Sequence, residues 1–324
     1  MAQIIRRPEW RIADRLITPE KSYRARREFL RQMGMTGAGL FAAPLIGSTE
    51  AADKAPAAKA GARMGFPAAR NKDFNPGLRL TDEKVFLTYN NYFEFSTQKG
   101  RPHLLVDKFK IEPWPVQIYG LCDKPMTLDA REIEEMFGLE ERVYRFRCVE
   151  AWSAVVPWTG FELRKLVEKA APKPEAKFLR FETATRPAEM PSWARLLDQG
   201  YPLPYNEGLR LDEAMNPLAL VATGLYGKPL AKQNGAPIRI VVPWKYGYKS
   251  IKSIVKIEFT AKQPVGLWEA LQPNEYPFLS NVNPDVPHPR WTQAVERVVD
   301  TGDRIRTLPF NGYGEQVAGL YKKG

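Results

Sequence analysis

Hydrophobic and polar residues alternate along two stretches of the chain, as they do in strands that bury one face. Residues 143–149 read Val-Tyr-Arg-Phe-Arg-Cys-Val and predict a strand that ends near Cys148. Residues 251–259 read Ile-Lys-Ser-Ile-Val-Lys-Ile-Glu-Phe and predict a second one. Residues 238–242 are mostly apolar, which favours a strand away from a sheet edge. Further predicted strands are 177–183 and 111–120, the latter interrupted by prolines.

Helical periodicity is confined to short segments. Residues 127–137 have apolar positions at helical spacing, and they predict a capped amphipathic helix that ends at Gly138. Residues 162–169 and 211–215 predict two more short helices. No internal repeat is visible, and 28 prolines favour long loops over a helical bundle. We therefore predict an α+β fold with mixed sheets, short helices and long loops.

The N-terminal part of the chain has the pattern of an export signal. Arg26-Arg27-Glu-Phe-Leu-Arg31 resembles the twin-arginine consensus, and an uncharged run follows from 32 to 49. A transmembrane helix is the alternative, but four glycines and a proline make this run only weakly apolar. We predict a signal peptide over 1–52, cleaved near Ala52, and export to the periplasm.

The remainder divides into two parts by composition. Residues 53–80 are rich in Ala, Pro, Lys and Gly, which predicts an extended segment that wraps the fold. Residues 81–324 have the mixed pattern of one catalytic domain. Length and patterning are ample for a sizeable core.

Charge excludes one class of partner. The chain carries 48 Lys and Arg against 37 Asp and Glu, and residues 1–52 hold nine and five of these. The rest therefore keeps a net charge of +7. Its basic residues are scattered, with no basic run and no aromatic-basic motif, so we expect no nucleic-acid partner. An anionic cofactor or an anionic membrane surface explains the excess better.

Cys148 is the most informative candidate for chemistry. The chain has only two cysteines and two histidines, too few for a typical zinc site, and no HExxH or Walker motif occurs. A cysteine in this pattern is either a small buried hydrophobe, a nucleophile or a ligand of a soft metal. We expect Arg145 and Arg147 to favour the thiolate. Glu150 would share a strand face with Cys148 and is a candidate proton-handling group. Cys122 is expected to be a free, separate thiol.

The run Arg147-Cys-Val-Glu-Ala-Trp152 resembles the metal-ligating segment of the bacterial periplasmic methionine-sulfoxide reductase catalytic subunits. These are molybdopterin enzymes with the sulfite-oxidase fold. Other blocks resemble the same family in order along the chain, at 89–95, 181–183, 207–215, 233–239, 242–254, 281–284, 288–292 and 310–313. The resemblance implies a sulfite-oxidase-like molybdopterin-binding fold, with a cofactor of one molybdenum and one pterin. Cys148 would be the protein ligand of the metal.

The resemblance also implies a set of cofactor-binding residues. They are Asn90, Phe93, Glu94, Thr183, Asn234, Arg239, Ser250, Ile251 and Lys252. Arg239 and Lys252 can neutralise the cofactor's phosphate, with Lys245 and Lys249 close in sequence. Gly247 and the backbone N–H groups that follow it would form an anion-binding nest.

The activity implied by the resemblance is reduction of methionine sulfoxide residues in oxidised periplasmic proteins. Two electrons and two protons are consumed and water is released. The chain has no CxxCH haem motif, so the electrons come from outside. The resemblance implies a membrane-embedded haem b subunit as the donor, supplied by quinol, and the twin-arginine translocase as the export partner. We expect a monomer.

Two other functions compete with this one. Sulfite oxidation, or reduction of other small oxides, uses the same fold, but sulfite oxidases resemble one another in an Arg-rich stretch after the ligand cysteine. This chain has Val149-Glu-Ala-Trp152 there, which suits a neutral sulfoxide better than an anion. The third hypothesis is an exported binding protein without a cofactor, which metal analysis would distinguish.

Overall fold

Two sheets and a set of short helices make up residues 65–322, which the computed structural model describes. The helices are α1 (Glu83–Thr88), α2 (Pro102–Leu105), α3 (Ala130–Phe137), α4 (Leu163–Ala170), α5 (Trp193–Asp198), α6 (Leu211–Ala214), α7 (Leu267–Leu271) and α8 (Gly314–Val317). Short 3₁₀ segments lie at Lys72–Phe74, Lys232–Asn234, Gly247–Lys249, Pro309–Gly312 and Ala318–Tyr321. Within 65–322, no helix is long and apolar enough to cross a bilayer.

The strands form one sheet of five and one of seven. In chain order they are β1 (Pro115–Gly120), β2 (Met126–Asp129), β3 (Glu140–Arg147), β4 (Trp152–Glu162), β5 (Phe178–Thr183), β6 (Asn206–Arg210), β7 (Leu220–Leu225), β8 (Lys228–Pro229), β9 (Arg239–Val241), β10 (Ile254–Thr260), β11 (Val295–Val298) and β12 (Arg304–Arg306). The first sheet has the order β2-β1-β10-β5-β6, and β1 and β10 are parallel. The second has the order β12-β11-β4-β7-β8, with β3 on β4 and β9 on β7, and β11 runs parallel to β4. Both sheets are mixed, so the predicted α+β fold with mixed sheets is confirmed.

The predicted helix at 127–137 begins three residues late. Residues 126–129 pair with β1 instead, because Met126 and Leu128 lie opposite Ile118 and Val116. Asp129 then caps α3: its carboxylate accepts from the Arg131 N–H at 2.9 Å. The capping residue is therefore the last residue of the strand, which a helical periodicity alone does not indicate.

The predicted strand at 251–259 also begins late, at Ile254. Ser253 has φ of 48°, a left-handed conformation that ends extended pairing on its N-terminal side. Residues 251 and 252 consequently leave the sheet and belong to the wall of a cavity.

Cys148 lies in a hairpin turn and not in a strand, so the prediction that it shares a strand face with Glu150 was wrong. Strand β3 ends at Arg147, and the Cys148 N–H donates to the Trp152 carbonyl at 2.9 Å. Ala151 closes the turn with φ of 61°. The turn itself, and not a shared strand face, places the Glu150 side chain beside the Cys148 thiol.

Strand β4 was not predicted, because ten of its eleven positions are buried and its sequence does not alternate. It is the central strand that pairs with β3, β7 and β11. Trp158 on β4 is fully buried and meets Phe86 edge-on, with ring centroids 5.7 Å apart. Burying each large apolar side chain of this kind stabilises the fold by about 1.5–3 kcal/mol.

The segment from 65 to 82 runs along the hairpin of β3 and β4. The Asn71 N–H donates to the Glu141 carbonyl at 2.8 Å, and the Thr81 N–H donates to the Val155 carbonyl at 2.9 Å. Arg70 forms an ion pair with Glu141 at 2.6 Å. The 53–80 segment stays a prediction as a unit, since 53–64 lie outside the described residues, as do the proposed export signal and its cleavage site.

Candidate functional site

One cavity brings together the candidate catalytic residues and the nine cofactor-binding residues that the resemblance implies. Its lining includes Cys148, Glu150, Asn90, Phe93, Glu94, Thr183, Asn234, Arg239, Ser250, Ile251 and Lys252. They come from the loop after α1, the turn after β3, the end of β5, the 3₁₀ segment Lys232–Asn234, the start of β9 and the loop before β10. Tyr201, Tyr205, Tyr248, Trp268 and Tyr276 add an aromatic wall.

The Cys148 thiol is held by short-range contacts within this cavity. It is 6% exposed, and it receives the Glu150 N–H and the Asn91 side-chain N–H at 3.5 Å each. Asn91 also donates to Glu150 Oε2 at 3.0 Å, and that oxygen lies 3.8 Å from Sγ. Two N–H donors aimed at one sulfur are suited to a thiolate that ligates a metal.

The expectation that Arg145 and Arg147 favour the thiolate holds only for Arg147, whose charge lowers the pKa of Cys148 less than burial and the Glu150 carboxylate raise it. Both guanidinium groups face Glu296, at 3.6 and 2.9 Å, so their charge is already compensated. Burial, followed by the Glu150 carboxylate, raises the pKa of Cys148 to about 12. The sulfur is therefore a thiol in the protein alone, and a bound cation would be needed to make it a thiolate.

Lys99 and Asn91 are site residues that the sequence reasoning missed. Lys99 Nζ lies 3.0 Å from Glu150 Oε2, and both side chains are largely buried. Burial alone would lower the pKa of Lys99, but the Glu150 carboxylate raises it above its ordinary value. Asn91 is next to Asn90 in a block that already pointed to the site, whereas nothing in the sequence around Lys99 marks it.

Two cations at the cavity wall have only neutral hydrogen-bond partners. Arg239 donates to the carbonyls of Asn234 and Ser250 at 2.8 and 2.7 Å, and Lys252 Nζ donates to the Asn91 carbonyl at 2.7 Å. Burial lowers the pKa of Arg239 to about 9, and burial together with Arg239 lowers that of Lys252 to about 7.

Within 65–322 neither cation has a carboxylate within ion-pair distance. Glu94 is the carboxylate that most favours the charged form of Lys252, and its own pKa is raised by burial. The wall therefore favours binding of an anion.

Asn90 and Asn234 provide unused acceptors at the same wall. Each donates its amide to the carbonyl of Phe86 at 3.2 Å, and the Oδ1 of each is buried without a partner among the described residues. A buried acceptor without a donor costs about 1–3 kcal/mol. A ligand that carries ring N–H groups, as a pterin does, would satisfy both. Together with the thiol and the unpaired cations, these residues fit a molybdopterin.

The other residues named for the site support the cavity wall by hydrogen bonds and by packing. Thr183 Oγ1 donates to the Lys252 carbonyl at 2.8 Å, and Ser250 Oγ accepts from the Val242 N–H at 3.1 Å. Ile251 is buried and its carbonyl accepts from the Ile240 N–H at 3.0 Å. Phe93 packs edge-on against Trp268, with centroids 5.2 Å apart.

The expectation that Lys245 and Lys249 join the phosphate site was wrong. Lys245 forms an ion pair with Glu213 at 2.5 Å and Lys249 with Glu207 at 2.6 Å, and all four side chains are at most 2% exposed. Neither lysine lines the cavity. Gly247 is required for packing, because a Cβ there would lie 2.6 Å from Cζ of Phe146.

Cys122 and His288 do not line the cavity. Cys122 and Cys148 are both free, and Cys122 lies after β1 beside Pro172. His288 stacks on Trp291 at 3.8 Å, and burial lowers its pKa to about 4, so it is neutral near pH 7. Among residues 65–322, no three His, Cys, Asp or Glu side chains gather in a metal-binding cluster.

Curated relatives match almost the whole chain. The protein-methionine-sulfoxide reductase catalytic subunit MsrP of Campylobacter jejuni is 50% identical over 308 residues, which cover 95% of this chain and 97% of the relative. Proteins of the same name from Xanthomonas axonopodis and Xanthomonas campestris are each 47% identical over 311 residues, covering 94% of this chain and 93% of each relative.

Two further comparisons cover about half of the chain. The family described as oxidoreductase molybdopterin binding domain matches residues 103–268, which include Cys148 and Arg239. Among solved structures, the sulfane dehydrogenase SoxCD of Paracoccus pantotrophus aligns with 52% of this chain and 42% of its own, at 18% identity and a TM-score of 0.41.

Proposed function

Because the chain belongs to the family of protein-methionine-sulfoxide reductase catalytic subunits, we propose that it reduces methionine sulfoxide residues in proteins to methionine. The observation that carries this function is the Cys148 thiol in a tight turn, in the same cavity as two uncompensated cations and two unused amide acceptors. The chain is a molybdopterin-dependent oxidoreductase.

The cofactor would be one molybdenum on one pterin, with Cys148 as the protein ligand. Asn90 and Asn234 would accept from the pterin ring, and Arg239 with Lys252 would bind its phosphate. When bound, the cofactor supplies the oxygen-atom and electron transfer at the metal. The support for this assignment is the match between these groups and the chemistry of the ligand.

The residues of this chain set the conditions for the reaction. The N–H groups of Asn91 and Glu150 donate to Sγ and orient it, and the aromatic side chains of Trp152 and Tyr276 line the same cavity. Glu150 Oε2 lies 3.8 Å from Sγ and 3.0 Å from Lys99 Nζ, so a carboxyl group and an amine, both able to take part in proton transfer, lie beside the thiol. Arg239 is the arginine among the described lining residues, and carbonyls hold it. With Arg239 and Lys252 assigned to the cofactor's phosphate, Glu150 and Trp152 are lining residues close to Cys148 in sequence, and an acid and a tryptophan suit a neutral sulfoxide better than sulfite.

The cellular setting is also part of the proposal. Arg26-Arg27-Glu-Phe-Leu-Arg31 supports twin-arginine export of the folded protein to the periplasm, with cleavage near Ala52. A membrane-embedded haem b subunit would deliver the electrons, and oxidised periplasmic proteins would be the substrates. Changing Arg26 and Arg27 together to Lys should leave full-length protein in the cytoplasm, and mature protein in the periplasm of that variant would contradict the export proposal.

One experiment tests the activity itself. Purified protein is analysed for molybdenum and pterin and then assayed with a reduced dye on free methionine sulfoxide, an oxidised protein and sulfite. We expect near-stoichiometric molybdenum and turnover of both sulfoxides. Protein without molybdenum would support the binding-protein hypothesis, and sulfite turnover alone would support the oxidase.

A further inference from the structure

A row of paired residues runs from the cavity wall to the edge of the seven-stranded sheet. Trp152 on β4 is in register with Arg297 on β11, and Arg297 is in register with Arg304 on β12. Residues paired in this way project from the same face of a sheet. Neighbouring strands are about 4.8 Å apart, so the Cα of Arg304 lies roughly 10 Å from that of Trp152. Trp152 lines the cavity beside Cys148.

Arg297 marks the border between this row and the cavity. Its N–H donates to the Ala151 carbonyl at 2.9 Å, which ties β11 to the turn that carries Cys148. Its guanidinium lies 6.0 Å from the centroid of the Tyr89 ring and donates to the Tyr89 hydroxyl at 3.4 Å. Tyr89 in turn packs edge-on against Trp152, with centroids 5.4 Å apart.

The outer part of the row is basic and exposed. Arg297, Arg304 and Arg306 are all exposed, and Arg306 lies two residues from Arg304 on the same face. Within 65–322 none of the three has a carboxylate within 4 Å. Glu296 projects from the opposite face and pairs with Arg147, and Asp303 is the adjoining acid in the turn. Like charges directly opposite each other destabilise a strand pair, so this arrangement costs stability.

Protection of a sheet edge explains only part of this pattern. Charged side chains on an edge strand prevent pairing with other chains, and β12 is such a strand. Arg297 lies on β11, which has a partner on both sides, and its side chain reaches the cavity border. Edge protection therefore accounts for Arg304 and Arg306 but not for the row.

We propose that the basic row Arg297–Arg304–Arg306 binds an acidic segment of the protein substrate next to the methionine sulfoxide. This inference rests on the proposed function. An extended chain covers about 3.3 Å per residue. The roughly 10 Å between Trp152 and Arg304 thus corresponds to about three residues, and the acids would lie about three to five residues from the sulfoxide.

Two peptides of equal length test the proposal. One carries Glu at positions three to five from a single methionine sulfoxide, and the other carries Gln at the same positions. Kinetics with a dye donor are measured for both, and for free methionine sulfoxide, at low and high salt. We expect a KM about threefold to tenfold lower for the Glu peptide at low salt, since exposed pairs are individually weak and screened.

Matched variants separate this row from general charge. Arg304→Gln with Arg306→Gln should remove the preference for the Glu peptide and leave free methionine sulfoxide turnover unchanged. Lys124→Gln with Lys262→Gln removes the same charge from exposed positions after the C-terminal ends of the parallel strands β1 and β10. That control should keep the preference.

Equal KM values for the two peptides in the unaltered protein would overturn the proposal, as would a preference that survives in the double arginine variant. Fluorescence anisotropy of labelled peptides reports binding without turnover. Absence of any sulfoxide turnover would contradict the proposed function instead, while the anisotropy would still test the row.

Discussion

Asn90 and Asn234 share one hydrogen-bond acceptor, because each donates its side-chain amide to the carbonyl of Phe86 at 3.2 Å. The shared contact orients two carbonyl groups that have no donor of their own among the described residues. The two asparagines thus form a fixed pair of acceptors 144 positions apart in the sequence.

Removing either acceptor should weaken cofactor retention. Asn90→Ala and Asn234→Ala each remove a hydrogen bond worth about 0.5–1.5 kcal/mol, which predicts a twofold to tenfold faster loss. The pterin content after timed dialysis measures this rate of cofactor loss. Asn216→Ala is the control, because its amide bonds to Gln316 away from the cavity. Equal retention in all three variants would contradict the assignment.

Arg239→Ala should also weaken retention, and by more. A hydrogen bond to a charged group is worth about 1.5–3 kcal/mol, which predicts a loss of about tenfold or more. Arg239→Lys keeps the charge and should retain part of the affinity. Molybdenum content and turnover per bound molybdenum are measured together. Full occupancy with low turnover per metal would place Arg239 on the substrate side.

Substitution of Cys148 should abolish activity, whereas substitution of Cys122 should not. Cys148→Ser should abolish turnover and leave the fold largely intact, because a serine preserves the size of the side chain but removes the thiolate. Cys122→Ser should stay active, since Cys122 does not line the cavity. Turnover and circular dichroism of both variants measure this. Equal activity in the two would refute the ligand assignment.

Lys252 should make the stability of the cofactor-free protein depend on pH. Its pKa is lowered to about 7, below its value in the unfolded chain, so the unfolded chain binds more protons between about pH 7 and 10. Stability should therefore rise across this window, with a slope of up to about 1.4 kcal/mol per pH unit from this group. Lys252→Met should remove the contribution of Lys252 to this slope. Urea unfolding at pH 7 and at pH 9 measures the slope in both proteins. An unchanged slope would show that Lys252 stays charged.

Removing one partner of the buried Lys249–Glu207 ion pair should destabilise the fold far more than replacing both partners with apolar residues. Lys249→Ala leaves the Glu207 carboxylate buried without its cation, which predicts a loss of about 3–5 kcal/mol. Lys249→Met combined with Glu207→Leu should be nearly neutral, because both charges are removed. Urea unfolding compares the two. A double variant as unstable as the single one would mean that packing dominates.

The sequence predicted the fold class because its alternating segments became strands of mixed sheets. It missed β4, because a strand that is buried on both faces does not alternate between apolar and polar residues. It also predicted that α3 begins within β2, whereas pairing with β1 overrides the local helical spacing of residues 126–129.

The site residues named from the family blocks all line the cavity. The partners of Arg145, Arg147, Lys245 and Lys249 could not be predicted, because Glu296, Glu213 and Glu207 are distant in the chain and only the tertiary fold brings them close. Lys99 was missed for the same reason.

The turn that carries Cys148 has a consequence for the order of folding. Strands β3 and β4 are joined by four residues, so their pairing requires little loop-closure entropy. The cavity wall joins residues from Phe86 to Tyr276, and contacts of such sequence separation form slowly. The hairpin is therefore the part of the site with the most local contacts, whereas the rest of the cavity wall depends on contacts between distant parts of the chain.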